Sequence, residues 1–155
     1  MARGFGMEIL VGARPGDRNP TAERTALDQV FRQAEFVTLH CPLTAETKQL
    51  INEQTLAMMK PGAFLINTAR GALIDEPALI EALRRKRIAG AALDVITQEP
   101  PPANHPIIQA AQELGNLIVT PHTAWSTREA RERLLNEVEE NISSFLRGRP
   151  RNIVA

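Results

Sequence analysis

Along nearly the whole chain, apolar runs of strand length alternate with stretches in which apolar residues recur every three or four positions. Strands separated by amphipathic helices pair in parallel, because each helix carries the chain back across one face of the sheet, so this alternation directs the fold to the α/β class. Strands are predicted near Glu8 to Ala13, Phe36 to Cys41, Ala63 to Ile66, Ala89 to Val95 and Leu117 to Thr120. The first helix, about Ala22 to Gln33, carries Leu27, Val30 and Phe31 at core spacing. Asn52 caps a short helix through Met59, which Lys60-Pro61-Gly62 stops. Asp75 caps a helix over Glu76 to Arg87, with Pro77 tolerated in its first turn and Leu79, Ile80 and Leu83 forming the buried stripe. Its last turn, Arg84-Arg85-Lys86-Arg87, looks like a nucleic-acid patch but equally complements the helix dipole, which is the reading adopted. The longest helix starts after Ser126, where Ser126 and Glu129 have capping-box spacing, and reaches about Arg147, with Leu134, Leu135, Val138, Ile142 and Phe145 on its apolar face. Thr97 to Gly115 reads as a loop rich in Pro and Gln, long enough to carry function.

The totals narrow the partners. The 155 residues suffice for one domain with a proper core and are too few for two comfortable ones. Lysine plus arginine number 18 and aspartate plus glutamate 18, so no basic field draws in nucleic acid or an anionic membrane. With five Phe, one Trp and no Tyr, a base-stacking surface is not expected. The single cysteine, Cys41, rules out an internal disulfide framework and fits a reducing compartment. No apolar run approaches the roughly 20 residues of a membrane span, and the N-terminus lacks the apolar core of a signal peptide. A cytoplasmic protein without a metal site is the expectation.

Three polar groups each follow a hydrophobic strand. Ala63-Phe64-Leu65-Ile66 runs into Asn67-Thr68-Ala69-Arg70-Gly71, Ala91 to Val95 runs on to Glu99, and Leu117 to Thr120 runs into Pro121-His122. Ligands of open α/β sheets collect at the carboxyl ends of strands, so an arginine, a carboxylate and an imidazole are expected to converge on one crevice. A lone arginine is commonly a surface charge; between a strand and Gly71, the planar fork of Arg70 also suits a carboxylate held through two parallel hydrogen bonds. His105, in Ala103-Asn104-His105-Pro106, reads as solvated loop, whereas Pro121 fixes the backbone just before His122. Glu99 lies among Gln98 and Pro100 to Pro102, a stiff stretch that can hold a carboxylate in place. A carboxylate accepting from the His122 ring favours the imidazolium and makes it a proton donor. A proton donor beside an arginine clamp is what reduction of a 2-oxo acid requires.

The residues then resemble a known family. Gly4-Phe5-Gly6-Met7, Leu39-His40-Cys41-Pro42-Leu43-Thr44, Met59-Lys60-Pro61-Gly62-Ala63, Ile66 to Gly71, Asp94-Val95 with Glu99-Pro100, and Pro121-His122-Thr123-Ala124-Trp125 are similar, in this order, to the motifs of D-isomer-specific 2-hydroxyacid dehydrogenases, and most similar to the glycerate dehydrogenases or hydroxypyruvate reductases. The resemblance covers essentially the whole chain. It implies hydride transfer between a nicotinamide cofactor and a small 2-oxo or 2-hydroxy acid, with Arg70 as substrate-carboxylate ligand, Glu99 as orienting carboxylate and His122 as acid/base. It further implies cofactor contacts from Thr68, Ala69, Asp94, His40, Cys41, Pro42, Thr47, His122 and Ala124. Trp125 resembles an aromatic that borders the substrate pocket; packing at a helix end is the alternative.

The chain also departs from the pattern. Gly4 and Gly6 are followed by Ile9 where a third glycine belongs, and the segment leads into a strand, so the dinucleotide fingerprint is not met. The resemblance therefore implies a Rossmann-like parallel sheet with flanking helices that is incomplete, its first strand and phosphate-binding loop lying upstream of Met1. Residues 1–149 would form a partial dinucleotide-binding domain and 150–155 a tail returning to a substrate domain. With the central strand absent, the strands at Glu8 and Phe36 would face an unfilled slot or close up against the strand at Ala63. Either outcome leaves apolar surface, so homo-oligomerisation or other self-association, low stability and weak cofactor affinity are expected. After the strand ending near Gly12, where NAD-preferring members place an acid, stand Ala13 and Arg14, which favours NADP(H) over NAD(H); a simple turn at Pro15-Gly16 is the other reading of Arg14. The competing functional class is a non-catalytic dinucleotide-binding or dimerisation module derived from the same fold.

Overall fold

The computed structural model describes residues 2–17, 21–123 and 125–154. The chain divides into two compact units, Met1–Pro121 and His122–Ala155. The first holds a four-stranded, all-parallel sheet in sequential order: β1 (Phe36–Leu39), β2 (Phe64–Asn67), β3 (Gly90–Leu93) and β4 (Leu117–Val119). Its helices are α1 (Leu27–Gln33), α2 (Glu53–Met58), α3 (Glu76–Arg84) and α4 (Pro106–Glu113). The parallel α/β architecture is thus as the alternation of patterns requires. Of the two arrangements expected for the strand at Phe36, the direct one forms: Val37 is in register with Leu65 of β2.

Register sorts the core. Val37, Leu65, Ala91 and Leu117 line up across the sheet and all are buried. The neighbouring row, Thr38, Ile66, Ala92 and Ile118, points the other way and is exposed or half-buried, as the period of two demands. Right-handed crossovers between sequential parallel strands set α2, α3 and α4 on a common face, and α2 contacts α3 as α3 contacts α4. That face is the core: Leu56 from α2, Leu79 and Leu83 from α3 and Ile107 from α4 are each 1% exposed or less. Burying such a side chain stabilises by roughly 1.5–3 kcal/mol.

Local chemistry explains the helix starts. Asn52 accepts from the amides of Gln54 and Thr55 while the Thr55 hydroxyl receives the Asn52 amide, a complete capping box for α2. Asp75 accepts from the Ala78 amide at the head of α3, and Pro77 sits in the first turn, where no amide proton is needed. At the other end Arg84 pairs with Glu113 and Arg85 with Glu81, so two of the four cations serve intramolecular contacts.

Three expectations need correction. Glu8 to Ala13 is not a strand; Gly12 forms one isolated parallel bridge with Thr25. Thr25 is followed at once by the helix starting at Leu27, so it offers no ladder along which a strand could extend. Second, that helix begins five residues later than the predicted Ala22, because Thr25 is taken up by the bridge. Third, Thr97 to Gly115 is not all loop: Pro106–Glu113 is α4, with His105 as its cap and Ile107 and Ala110 buried.

In the second unit α5 spans Arg128–Leu146. Its cap is Thr127, not Ser126, since the Thr127 hydroxyl accepts from the Ala130 amide while Ser126 donates back to the Thr123 carbonyl. Arg151 of the tail bonds Glu137 at 3.0 Å and also Glu140. None of the described residues of α5 is buried; Leu135 is 68% and Phe145 71% exposed. The predicted apolar stripe exists on this helix, but it is exposed among the described residues.

Candidate functional site

The carboxyl ends of β2 and β3 are tied together through their exit turns. Beyond β2 the chain turns through Thr68, Ala69 and Arg70, and the turn is shaped by Asn67, which is fully buried. Its side chain accepts from the Ala69 amide at 3.0 Å and donates to the Arg70 carbonyl at 2.9 Å, closing a side-chain-mediated loop. Arg70 is thereby presented at the surface, with one Nη1–H on the Ala69 carbonyl at 2.8 Å. The charged fork is carried by a backbone that a buried amide holds rigid.

Gly71 brings the second turn close. A Cβ at this position would collide with the carbonyl carbon and oxygen of Ile96 and with the amide nitrogen of Thr97. Only hydrogen fits there, so the backbone beside Arg70 lies directly against the peptide that begins the turn leading to Glu99. The Glu99 carboxylate folds back on the same turn and accepts from the Ile96 amide at 2.9 Å. Glu99 precedes a cis peptide bond to Pro100.

Asp94 follows β3 and is half-buried; its Oδ1 accepts from the Thr120 hydroxyl at 2.5 Å, and the Thr120 amide donates to the Leu93 carbonyl. Charge-assisted hydrogen bonds of this length fix a carboxylate in one orientation. Past β1, His40 is exposed, its Nε2 2.9 Å from the Thr38 hydroxyl, Cys41 is half-buried and Pro42 exposed. Thr47 is buried and builds the turn that follows, donating to the Pro42 carbonyl at 2.7 Å and accepting from the Thr44 amide at 2.7 Å.

The structure thus brings Arg70 and Glu99 onto adjoining turns at the carboxyl ends of the two central strands, with Thr68, Ala69 and Asp94 on the same turns. His122 belongs to the second unit; it follows Pro121 and adopts a left-handed backbone with φ of 51°, a conformation uncommon outside glycine and concentrated at functional sites. Trp125, also in that unit, is 58% exposed. Ala124 lies outside the described residues. Ala13 is buried, its amide on the Thr25 carbonyl at 2.8 Å, and Arg14 is an exposed residue opening a turn closed by the Asp17 amide on the Arg14 carbonyl.

Three residues near the site did not stand out in the sequence. Asn67 and Thr120 support Arg70 and Asp94, and an Asn followed by Thr-Ala-Arg-Gly at a strand end is a turn signal that marks the first. Glu76 carries no such signal. His105, expected to be solvated, is instead buried at 6% exposure: its Nδ1 accepts from the Ile107 amide at the head of α4, and Nε2 lies 3.7 Å from Glu76. Among the described residues no group of histidine, cysteine and carboxylate side chains could hold a metal ion, and no helix is long and apolar enough to cross a membrane.

Residues 1–124 match the model of the D-isomer specific 2-hydroxyacid dehydrogenase NAD binding domain. The chain is 48% identical over 146 residues to a putative 2-hydroxyacid dehydrogenase of Haemophilus influenzae, covering 94% of this chain and 46% of that protein. It is 42% identical over 153 residues to a glycerate dehydrogenase of Methylorubrum extorquens, covering 99% of this chain and 47% of the relative. The NAD-complexed structure of a D-isomer specific 2-hydroxyacid dehydrogenase from Lactobacillus delbrueckii ssp. bulgaricus superposes with a TM-score of 0.83 at 30% identity, over 99% of this chain and 50% of that one. The chain spans about half the length of the relatives it matches. With a parallel sheet whose strand ends carry the family's motifs, and a family match over most of its length, the chain belongs to the D-isomer-specific 2-hydroxyacid dehydrogenases, through their NAD-binding domain.

Proposed function

We propose that the chain carries the cofactor-domain share of the active site of a 2-hydroxyacid dehydrogenase of the glyoxylate or hydroxypyruvate reductase type. The observation that carries this reading is the contact of the two exit turns at Gly71, which keeps the segments carrying Arg70 and Glu99 together at the carboxyl ends of the strands, where ligands of such folds bind. Arg70 holds the substrate carboxylate with its planar fork. Glu99 is the orienting carboxylate for the acid/base, His122, in this reading. The His122 imidazolium donates its proton to the carbonyl oxygen of a 2-oxo acid, and in the reverse direction the neutral ring takes the hydroxyl proton of the 2-hydroxy acid. Trp125 borders the substrate.

A bound nicotinamide dinucleotide supplies or accepts the hydride. The residues fit such a group: the half-buried Asp94 carboxylate offers an acceptor and the exposed Thr68 hydroxyl a donor, which is what a carboxamide needs. Ala69, His40, Cys41, Pro42, Thr47 and His122 border the cofactor in this reading. Arg14, exposed and next to a residue without a carboxylate, favours a 2′-phosphate and hence NADP(H). The apolar side chains exposed on α5 support self-association, and the protein acts in the cytoplasm on small 2-oxo acids.

The reading is tested by following NADPH absorbance with hydroxypyruvate, using the chain mixed with a supplied N-terminal segment that carries the first strand, the phosphate-binding loop and the substrate domain. Hydroxypyruvate-dependent NADPH oxidation in the mixture is the expected result. No turnover from folded components overturns it and leaves a non-catalytic dinucleotide-binding or dimerisation module.

A further inference from the structure

We infer that Glu76 is a positioning residue: its carboxylate, held between Thr97 and His105, fixes the turn from which Glu99 extends and locks it to the segment that carries Arg70. The inference rests on the reading that Glu99 orients the acid/base. Glu76 opens α3, six positions beyond Arg70, and is buried at 8% exposure. A carboxylate removed from water is costly unless its lone pairs are taken up. Here Oε1 accepts twice from one residue, the Thr97 amide at 2.6 Å and the Thr97 hydroxyl at 2.8 Å. Oε2 lies 3.7 Å from His105 Nε2. The other ring nitrogen, Nδ1, accepts from the Ile107 amide and so anchors the imidazole at the head of α4.

One side chain therefore joins three segments: the start of α3, the exit turn of β3 and the head of α4. The consequence falls on Glu99. Its own bond to the Ile96 amide and the Glu76 bond to the Thr97 amide pin two consecutive peptides of the same turn. A carboxylate whose only task was to favour the α3 dipole would serve from the helix surface; the two hydrogen bonds from Thr97, 21 positions away, are not needed for that.

The test is a nitrogen-15 NMR titration of the full chain, read at the Ile96 amide, which reports on Glu99 because Glu99 accepts its proton. In the unmodified chain that signal moves as Glu99 is protonated. Glu76→Gln keeps an oxygen for both Thr97 donors and retains the movement. Glu76→Ala loses it, while the amides of Leu65 and Ala91 inside the sheet keep their positions. A cavity of about 290 Å³ lined by Lys48, Gln49, Gln98 and His105 adjoins the site, so water can solvate what the truncation uncovers. Should Glu76→Ala not fold, Thr97→Val decides, with a weakened movement in support and an unchanged one against. The inference is overturned by a Glu76→Ala chain that titrates like the original, by a Glu76→Gln chain that fails as Glu76→Ala does, or by an Ile96 amide that never responds. The readout needs neither cofactor nor turnover, so its failure is separate from failure of the dehydrogenase assay.

Discussion

A methyl group at Gly71 has nowhere to go. The atoms it would meet are backbone atoms of Ile96 and Thr97, which cannot swing aside as a side chain does. Gly71→Ala is therefore expected to cost about 3 kcal/mol by forcing the two turns apart, measurable as a lowered urea midpoint at unchanged slope; a midpoint equal to that of the parent would show that the turns are not in contact. Arg14 carries a different kind of prediction. A charge-assisted bond to a 2′-phosphate stabilises by roughly 1.5–3 kcal/mol, so Arg14→Ala should weaken NADPH binding roughly 10- to 100-fold and leave NADH nearly unaffected, read by titration of the reconstituted protein. At this scale the sequence exposed the charged residues that follow the strands but not the residues that support them. Arg70 and Glu99 are legible because a charged residue after an apolar run invites a question. Glu76 and His105 are not, because whether a polar residue is buried depends on segments that meet only in three dimensions.

Elements were legible where their signals are local. The capping box at Asn52 and the single cap at Asp75 act within four residues, and both helices start where those caps place them. The helix α4 was hidden by the prolines before it and by its own glutamines, although Pro106 occupies the first turn, where proline is favoured, and Ile107 and Ala110 repeat at helical spacing. Its contribution is testable: Ile107 is fully buried, so Ile107→Ala should destabilise by about 2–5 kcal/mol, and a loss below 1 kcal/mol in chemical denaturation, roughly the scale of a surface change, would mean that α4 is not docked. The segment Glu8 to Ala13 shows the opposite failure. Met7, Ile9 and Val11 alternate as a strand should, yet each is more than 40% exposed, since strand propensity without a ladder partner yields only the single bridge at Gly12.

For the molecule as a whole, the family and the parallel sheet were readable from the order of motifs, whereas the apolar surface left open was not quantifiable. Six large apolar side chains of α5, Leu134, Leu135, Val138, Ile142, Phe145 and Leu146, are each at least 45% exposed. Together with a formal net charge of zero, which provides no repulsion between copies, this predicts association at micromolar concentration. Light scattering coupled to size exclusion should give a mass above the 17.1 kDa of one chain, and replacing Leu135 and Phe145 with serine should return it toward the monomer. A monodisperse monomer in the parent chain would contradict the prediction.

The central claim is that Arg70 binds the substrate carboxylate and His122 transfers the proton. In the complemented assay, His122→Asn should lower kcat by about 10²- to 10⁴-fold with KM for hydroxypyruvate nearly constant. Arg70→Lys, which replaces a fork by a point charge, should chiefly raise KM, by roughly 10- to 100-fold. A His122→Asn protein that turns over at the parental rate would contradict the claim outright.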